Sequence, residues 1–397
     1  MKMKKIAVLL LSLIMVLGIV VGCQPSEPKP TDPVVAPTES APVVDPTEGP
    51  PAVEVEKKSI GFYMDAADDY YKVAGNTLIA LADLDPEVDW EVNIVVGQST
   101  AAEQLNAVDD FIISGYDAII VIQNNANTTS ECIAKAKDAG IPYFGAAHDF
   151  SSVDNATDAA GSVGYNFVQS GIYAGEDALA RGIKKVIMIE GVLGQGSAGA
   201  QSLGFIQAYE DAGKDIGGMT AVEFATDKPQ GGGEDLEMVA WASGNWMADP
   251  AKKIMTDLLV SLGPDGWDGA YVQNDEMMEG VIQAIEEAGL DPSDYWLGAS
   301  NGKEKAWDWV ANGTTTMDVS QSAALEGEAL YQQIKAYFKG EEYRKYIHPY
   351  LTPFNTEDIA EKTLVPFSDI DEYISQRSSG KLVYDINDPK FLDNEGY

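Results

Sequence analysis

The residues that could do chemistry in this sequence are polar and aromatic side chains clustered beside apolar runs. Most of them follow such a run directly, and one Asn-Trp pair precedes a predicted helix. Amides and carboxylates pair with neighbouring hydroxyls, while Tyr and Trp rings cover the apolar C–H face of a sugar ring. Each residue alone could be a helix cap, but together they favour a site for a small neutral polyol. The groups lie at 65–71, 148–150, 245–246, 274–276, 300–301 and 321.

The elements that must position these groups alternate between strand and helix patterns. Continuous apolar runs such as IIVI and VIMI are typical of strands buried on both faces of a parallel sheet. Repeating strand–helix units predict an α/β fold, with ligand beyond the carboxyl ends of the strands. Ten strands suit two sheets better than one. The predicted strands are 59–64, 92–96, 118–122, 143–147, 162–165, 185–190, 220–224, 269–273, 296–299 and 315–320, and helical patterns include 168–181, 202–212, 252–262 and 276–288.

The first 22 residues have the pattern of a secretory signal peptide. Lys2, Lys4 and Lys5 precede an apolar stretch at 6–21, which ends in a Gly-Cys pair like the lipobox of bacterial lipoproteins. A transmembrane helix is the alternative, but the stretch is at the short end of the roughly 17–25 residues needed to span a bilayer. We therefore predict a signal peptide at 1–22, a lipid on Cys23 and a Pro-rich disordered tether at 23–56. The mature chain would be exported and lipid-anchored to the outer face of a bacterial cytoplasmic membrane.

The charge balance is strongly acidic. The chain has 26 Lys and Arg against 63 Asp and Glu, for a net charge of −37. Such a surface argues against nucleic acid as a partner. Once Cys23 carries a lipid, Cys132 has no second cysteine, so no intrachain disulfide is expected.

Other chemistries find little support in the sequence. Residues 194–199 fit GxGxxG, but three residues separate them from the preceding strand and spoil the tight turn, so no dinucleotide cofactor is expected. His148 and His348 are the only histidines, and GxSxG, HExxH and CxxC motifs are absent. The segment 385–389 is similar to a calcium loop, but Lys390 stands where that loop requires Gly. We therefore predict no enzyme activity and no metal.

The segment from 59 to about 367 resembles the type I periplasmic sugar-binding proteins, the ribose/galactose-binding branch that delivers ligand to ABC importers. This resemblance implies two Rossmann-like parallel-sheet lobes joined by a three-strand hinge. Residues 57–163 plus 322–352 would form the first lobe, and 164–321 plus 353–397, including the tail, the second. The motifs that carry this resemblance are Gln-Asn-Asp-Glu-Met at 273–277, Gly-Ile-Pro at 140–142, Gly-Tyr-Asn at 164–166 and the stretch from Gly191 to Phe205.

The resemblance also implies particular ligand contacts. The first lobe would supply a polar and an aromatic contact, and a histidine near the place of an Asp-Arg pair, with the next Asp as a possible substitute. The second lobe would supply an aromatic ring that stacks on the sugar and two contacts after strands, and a Gln would lie near a crossover. In that order the residues are Asp69, Tyr71, His148, Asp149, Trp246, Asn274, Asn301 or Ser300, and Gln321.

Two departures from the family pattern bear on the ligand. The stretch 191–201, where the family has an Arg, contains no Arg or Lys, and Gln195 and Gln201 are possible replacements. The segment 226–245 is longer than the family needs and could reshape the pocket. These differences favour a pocket richer in neutral amides than a plain ribose site.

The function that follows is a solute-binding lipoprotein. It would capture a small neutral ligand, a monosaccharide or related polyol, between its lobes and present it to ABC permease subunits. One alternative is a sensor subunit that reports a sugar, nucleoside or autoinducer to a membrane receptor. Another is an exported glycan hydrolase.

Overall fold

The computed structural model describes residues 55–392, except 124, 149 and 151–152. The predicted signal peptide, the lipidation site Cys23, all but the end of the tether, and Asp149 lie outside the described residues. Within the described part, none of the helices combines the length and the apolar character needed to cross a bilayer.

Strands and helices alternate along most of the chain. The strands are β1 Lys57–Met64, β2 Asp89–Val96, β3 Ala118–Ile122, β4 Tyr143–Ala146, β5 Gly161–Val163, β6 Lys185–Glu190, β7 Gly231–Gly232, β8 Glu237–Ser243, β9 Gly269–Val272, β10 Trp296–Asn301, β11 Met317–Ser320, β12 Tyr346–Ile347 and β13 Thr352–Asn355. The helices are α1 Asp69–Leu84, α2 Ala101–Ser114, α3 Ala126–Ala139, α4 Phe167–Ala180, α5 Gly196–Asp211, α6 Ala221–Asp227, α7 Ala248–Leu262, α8 Asp275–Glu287, α9 Glu304–Asn312, α10 Ala323–Lys339 and α11 Ile370–Ser378.

The strands form two separate sheets. The first sheet has the order β12-β5-β4-β3-β1-β2, and the second has the order β13-β11-β10-β9-β6-β8-β7. All pairs of the first sheet are parallel, and in the second only β13 and β7 pair antiparallel with their neighbours. Between the described strands, the chain passes from one sheet to the other after β5, β11 and β12. This arrangement confirms the predicted α/β fold with two mostly parallel sheets.

The central strands of the sheets are buried on both faces, as their apolar runs predict. In β3, Ile120 and Ile122 belong to the core that contains α1 and α10, which we call the first-lobe core, while Ile119 and Val121 face α2 and α3. Side chains alternate in this way because successive residues of a strand point to opposite faces. Full burial of one such side chain contributes about 1.5–3 kcal/mol, so helices must cover both faces.

One predicted strand is wrong. The sequence predicts a strand at 220–224, but the structure has helix α6 there. Thr220 Oγ1 accepts a hydrogen bond from the Glu223 N–H at 3.2 Å, and Glu223 Oε2 accepts one from the Thr220 N–H at 2.8 Å. This capping box starts a helix, and its effect outweighs the strand preference of the β-branched residues in this segment. Strand β8, which the sequence does not predict, lies beside β6 within the segment 226–245 that the sequence suggests is an extra loop. The short strands β7, β12 and β13 are not predicted either.

Helices α4 and α5 touch through their backbones. A Cβ placed on Gly171 would lie 2.1 Å from the Gln201 carbonyl oxygen, and one on Gly204 would lie 2.0 Å from the Val168 carbonyl oxygen. Only glycine allows so close an approach. The contact is the structural reason for glycines inside two helices.

The described part of the tail, residues 365–392, packs on the first lobe. Phe367, Tyr373, Tyr384 and Ile386 are buried in the first-lobe core. The sequence groups 353–397 with the second lobe, and β13 does lie in the second sheet, but the tail does not follow it. Its aromatic rings bury more apolar surface against α1 and α10 than an exposed tail could.

Glu304, the first residue of α9 in the second lobe, holds the start of this tail. Its Oε1 accepts hydrogen bonds from the backbone N–H groups of Phe367, Ser368 and Asp369 at 2.9, 3.0 and 3.2 Å. The tail therefore contacts both lobes.

Candidate functional site

A cavity lies at the carboxyl ends of the strands, lined by residues of both lobes. The first lobe contributes the start of α1 and the turn after β4, and the second lobe contributes the remaining walls. The lining residues are Asp68, Tyr70, Tyr71, Ala147, His148, Phe167, Ser197, Gln201, Trp246, Gln273, Asn274, Asn301 and Gln321.

Most of the predicted contact residues meet at this cavity. It is lined by Tyr71, His148, Trp246, Asn274, Asn301 and Gln321. Asp69 does not line it, because its side chain is 74% exposed and pairs with Lys72 at 3.1 Å. Asp68 takes its place, and Asp149 is outside the described residues. Ser300, the alternative to Asn301, is fully buried behind the wall.

The first-lobe wall is built from two turns. Asp68 caps α1, and its Oδ1 accepts the Tyr70 N–H at 2.7 Å. Burial raises the pKa of Asp68 above its usual range. From the other turn, His148 Nε2 lies 3.2 Å from the Tyr71 hydroxyl. Ala147, just before it, has a φ of 64°, which is uncommon for a residue other than glycine.

Trp246 is held over the backbone of Gly191. A Cβ on Gly191 would lie 2.0 Å from the indole ring, so the ring rests directly on the main chain there. The indole Nε1 donates to Gln195 Oε1 at 2.6 Å, and the Trp246 carbonyl accepts from Asn274 Nδ2 at 3.2 Å. Gln195 therefore positions the indole rather than lining the cavity, whereas Gln201 does line it.

The strand β9 ends in two amides with different roles. Asn274 caps α8, because its Oδ1 accepts the Met277 N–H at 2.9 Å, and it also lines the cavity. Gln273 Oε1 accepts the Gly191 N–H at 2.9 Å, and its Nε2 donates to the Ala198 carbonyl and Ser202 Oγ at 2.9 and 2.7 Å. Gln273 thus fixes the loop after β6 more than it offers free groups to a ligand.

A chain of hydrogen bonds runs behind the second-lobe wall. Gln321 Nε2 donates to Ser170 Oγ at 2.6 Å, and that hydroxyl lies 3.2 Å from Ser300 Oγ. Ser300 Oγ lies 3.3 Å from the Tyr271 hydroxyl, which donates to Gln201 Oε1 at 3.1 Å. Both ends of this chain line the cavity, so the crossover after β11 is connected to α5 by buried polar groups.

Asn301 ends β10 with a φ of 108°. Behind it, Asp318 Oδ1 accepts the Gly302 N–H at 3.1 Å and Asp275 Oδ2 accepts the Lys303 N–H at 2.7 Å. Burial raises the pKa of Asp275 to about 6, and burial and the neighbouring Asp275 raise that of Asp318 well above its usual range. These carboxyls support the turn, while the side chain in the cavity wall is a neutral amide.

The wall is nearly neutral, polar and aromatic. Among the lining residues, Asp68 is the one carboxylate and none is Lys or Arg. The buried Ser197 Oγ has no hydrogen-bond partner among the described residues. An unsatisfied buried hydroxyl costs about 1–3 kcal/mol, and a ligand hydroxyl could satisfy it. Sequence patterns miss Ser197 and Phe167, and within the group 65–71 they favour Tyr71 over Tyr70, because nothing in a first helical turn shows which residue faces the cavity.

Comparison with known proteins agrees with this architecture. A model described as "Periplasmic binding protein domain" matches residues 60–342. A Rhizobium meliloti protein named for rhizopine binding is 28% identical over 249 residues, which are 62% of this chain and 74% of that protein. The fructose import binding protein FruE of Bifidobacterium longum is 23% identical over 291 residues, 73% of this chain and 82% of FruE.

A solved structure of a galactofuranose binding protein has the same fold. Its TM-score to this chain is 0.65 at 20% identity, and the match covers 80% of this chain and 99% of that one. The family model, the relatives and the two mostly parallel sheets agree. The chain belongs to the periplasmic binding protein family and has the type I fold of its sugar-binding members.

Proposed function

We propose that this chain is an extracytoplasmic solute-binding protein that takes up a small neutral sugar or polyol in the cavity between its lobes. The observation that carries the proposal is the composition of the wall: amides, hydroxyls and aromatic rings from both lobes, with no cation among the lining residues. Hydroxyl groups both donate and accept, and amide side chains match them without needing a charge.

Individual side chains fit different parts of such a ligand. The Trp246 ring offers a flat apolar face, which suits the C–H face of a sugar ring. Asn274, Asn301 and Gln201 offer amide groups, and Ser197 offers an unused hydroxyl. Relatives named for galactofuranose binding and for fructose import support the same ligand class.

The mechanism rests on differential affinity for two arrangements of the lobes. A ligand that bonds to both walls at once favours the arrangement in which they are close. We propose that the closed form is the one read by the permease subunits of an ABC importer. Acylation of Cys23 and the Pro-rich segment 23–56 would keep the binding protein near that permease.

A thermal-shift screen tests the ligand class. The chain would be tested against pentoses, hexoses, polyols and nucleosides, including D-ribose, D-fructose and myo-inositol. A ligand at 100 times its Kd stabilises the folded state by about 2.7 kcal/mol. A shift with one or two sugars supports the proposal, and a shift with nucleosides alone refutes the ligand class. Turnover of a chromogenic glycoside would favour the hydrolase, and a neighbouring histidine kinase gene the sensor.

A further inference from the structure

We propose that Glu326 is a positioning residue for ligand binding, because its one carboxylate joins the two first-lobe turns that line the cavity. The proposal rests on the proposed function, since it concerns the same cavity. Nothing in the sequence marks Glu326, which lies in α10 and does not line the cavity itself.

The geometry of the carboxylate is specific. Its Oε2 accepts a hydrogen bond from the Tyr70 hydroxyl at 2.6 Å, and its Oε1 accepts one from the Ala147 N–H at 2.8 Å. Tyr70 belongs to the first turn of α1 and Ala147 to the turn after β4, and both line the cavity. Both oxygens of Glu326 are therefore used by cavity-lining residues on different elements.

The bond to Ala147 supports a strained turn. With a φ of 64°, Ala147 is in the left-handed region, which disfavours a residue with a side chain. The next residue, His148, projects into the cavity wall beside Tyr71. Without the carboxylate, the Ala147 N–H loses its hydrogen-bond acceptor, and the turn is less firmly fixed. His148 would then move from its position in the cavity wall.

The buried surroundings make a carboxylate energetically unfavourable at this position. Glu326 is fully buried and has no ion pair among the described residues. Burial raises its pKa to about 7, while the bonds from Tyr70 and Ala147 act in the opposite direction. Other ionisable groups that interact with it include the phenols of Tyr71, Tyr165 and Tyr384. A buried carboxylate without an ion pair is unfavourable unless hydrogen bonds compensate for its lost hydration, so the two hydrogen bonds are the reason for a carboxylate.

Glu328 provides a matched control on the same helix. It is equally buried, and its oxygens accept from the Tyr373 hydroxyl and Arg377 Nε, both at 2.6 Å. Those partners lie in α11, away from the cavity. Loss of Glu328 should therefore weaken the fold without moving a residue of the cavity wall.

The experiment compares Glu326→Gln, Glu326→Leu and Glu328→Leu in the full chain. D-Ribose, D-fructose and myo-inositol are titrated by calorimetry, and Tm is recorded without ligand. We expect Glu326→Leu to weaken binding at least about tenfold, because two partners of one carboxylate are lost. Glu326→Gln should bind within about threefold of the unaltered chain, because an amide can accept from Ala147 and donate to Tyr70. Glu328→Leu should lower Tm but leave affinity unchanged.

Hydrogen exchange of the Ala147 amide gives a second, ligand-free measurement. We expect exchange at least about tenfold faster in Glu326→Leu, and unchanged in Glu326→Gln and Glu328→Leu. Equal loss of affinity in both Leu variants, or full affinity in Glu326→Leu, overturns the positioning role. If the unaltered chain binds none of the three compounds, the thermal-shift screen decides on the ligand class, and Ala147 exchange alone decides on Glu326: unchanged exchange in Glu326→Leu overturns the proposal.

Discussion

A methyl group on Gly191 should act as a selective probe of the site, because its nearest neighbours are all atoms of one ring. The Cβ of Gly191→Ala would lie 2.0 Å from two atoms of the Trp246 indole and 2.3 Å from a third. Real contacts of this kind exceed 3 Å, so the ring must move. The backbone of Gly191 is not left-handed, so alanine itself is tolerated there.

The size of the effect follows from the ring face that a sugar would cover. A buried aromatic side chain covers about 150–250 Å², and one face of an indole is roughly 80 Å² of that. At about 25 cal/mol per Å² this surface contributes about 2 kcal/mol. Gly191→Ala should therefore weaken sugar binding about 30-fold. The displaced ring also loses its hydrogen bond to Gln195.

Titration calorimetry on four variants measures this effect. Trp246→Ala sets the largest loss expected from the ring and should leave the Tm of the unliganded chain nearly unchanged. In a Gly191→Ala/Trp246→Ala double variant the methyl has no ring to displace, so the double variant should bind like Trp246→Ala alone. Gly199→Ala is the control, because a Cβ there meets no atom within 4 Å and alanine favours the helix.

Two results would refute this reasoning. Unchanged affinity in Gly191→Ala would mean that the ring is not a ligand contact or moves without cost. Additive losses in the double variant would mean that the methyl acts on something other than the ring.

Three further variants test other parts of the site. Asn274→Ala should weaken binding by about 1–3 kcal/mol in a titration and lower stability by about 1 kcal/mol through the lost helix cap; lower Tm with full affinity would leave Asn274 only a cap. Ser197→Ala should leave Tm equal or higher while weakening binding about tenfold, and unchanged affinity would exclude a ligand bond. Asp318→Asn should raise Tm, and this increase in Tm should become larger between pH 5 and pH 8. An increase in Tm that becomes smaller as the pH rises would contradict the reasoning.

The sign for Asp318 follows from proton binding. The raised pKa values of Asp275 and Asp318 mean that the folded chain holds protons that the unfolded chain releases above its carboxyl pKa of about 3.9. Stability from this pair is therefore lost as pH rises. An Asn at position 318 stays neutral and can still accept the hydrogen bond from the Gly302 N–H. It therefore removes part of the stability loss that occurs as the pH rises.

The sequence predicts the two-sheet fold because buried strands such as β3 are continuous apolar runs. It fails at 220–224, where β-branched residues suggest a strand while Thr220 and Glu223 start a helix through contacts that no periodicity shows. It also misses β8, since the strand follows a Gly-rich stretch that is typical of loops. Whether a residue pairs in a sheet depends on its neighbours in space.

The same limit explains the misses in the site. Asn274 and Trp246 are predictable because they lie beside regular elements whose direction is known. The predicted contact Asp69 is displaced by one position to Asp68, since Asp68 caps α1 and Asp69 is its first residue, and only the three-dimensional direction of the first turn distinguishes them. Glu326 reaches the site through hydrogen bonds from residues far away in sequence, and its own surroundings read as an ordinary helix.

The backbone contact between α4 and α5 has a consequence for redesign. Phe167 and Ser170 project from one helix and Ser197 and Gln201 from the other, and Gly171 and Gly204 fix the spacing between the two. This pair therefore serves as a rigid template for the cavity-lining positions 167 and 197, whereas Gln201 also ends the buried hydrogen-bond chain. A library at 167 and 197 that retains both glycines and Gln201 would search for new selectivities on an unchanged frame.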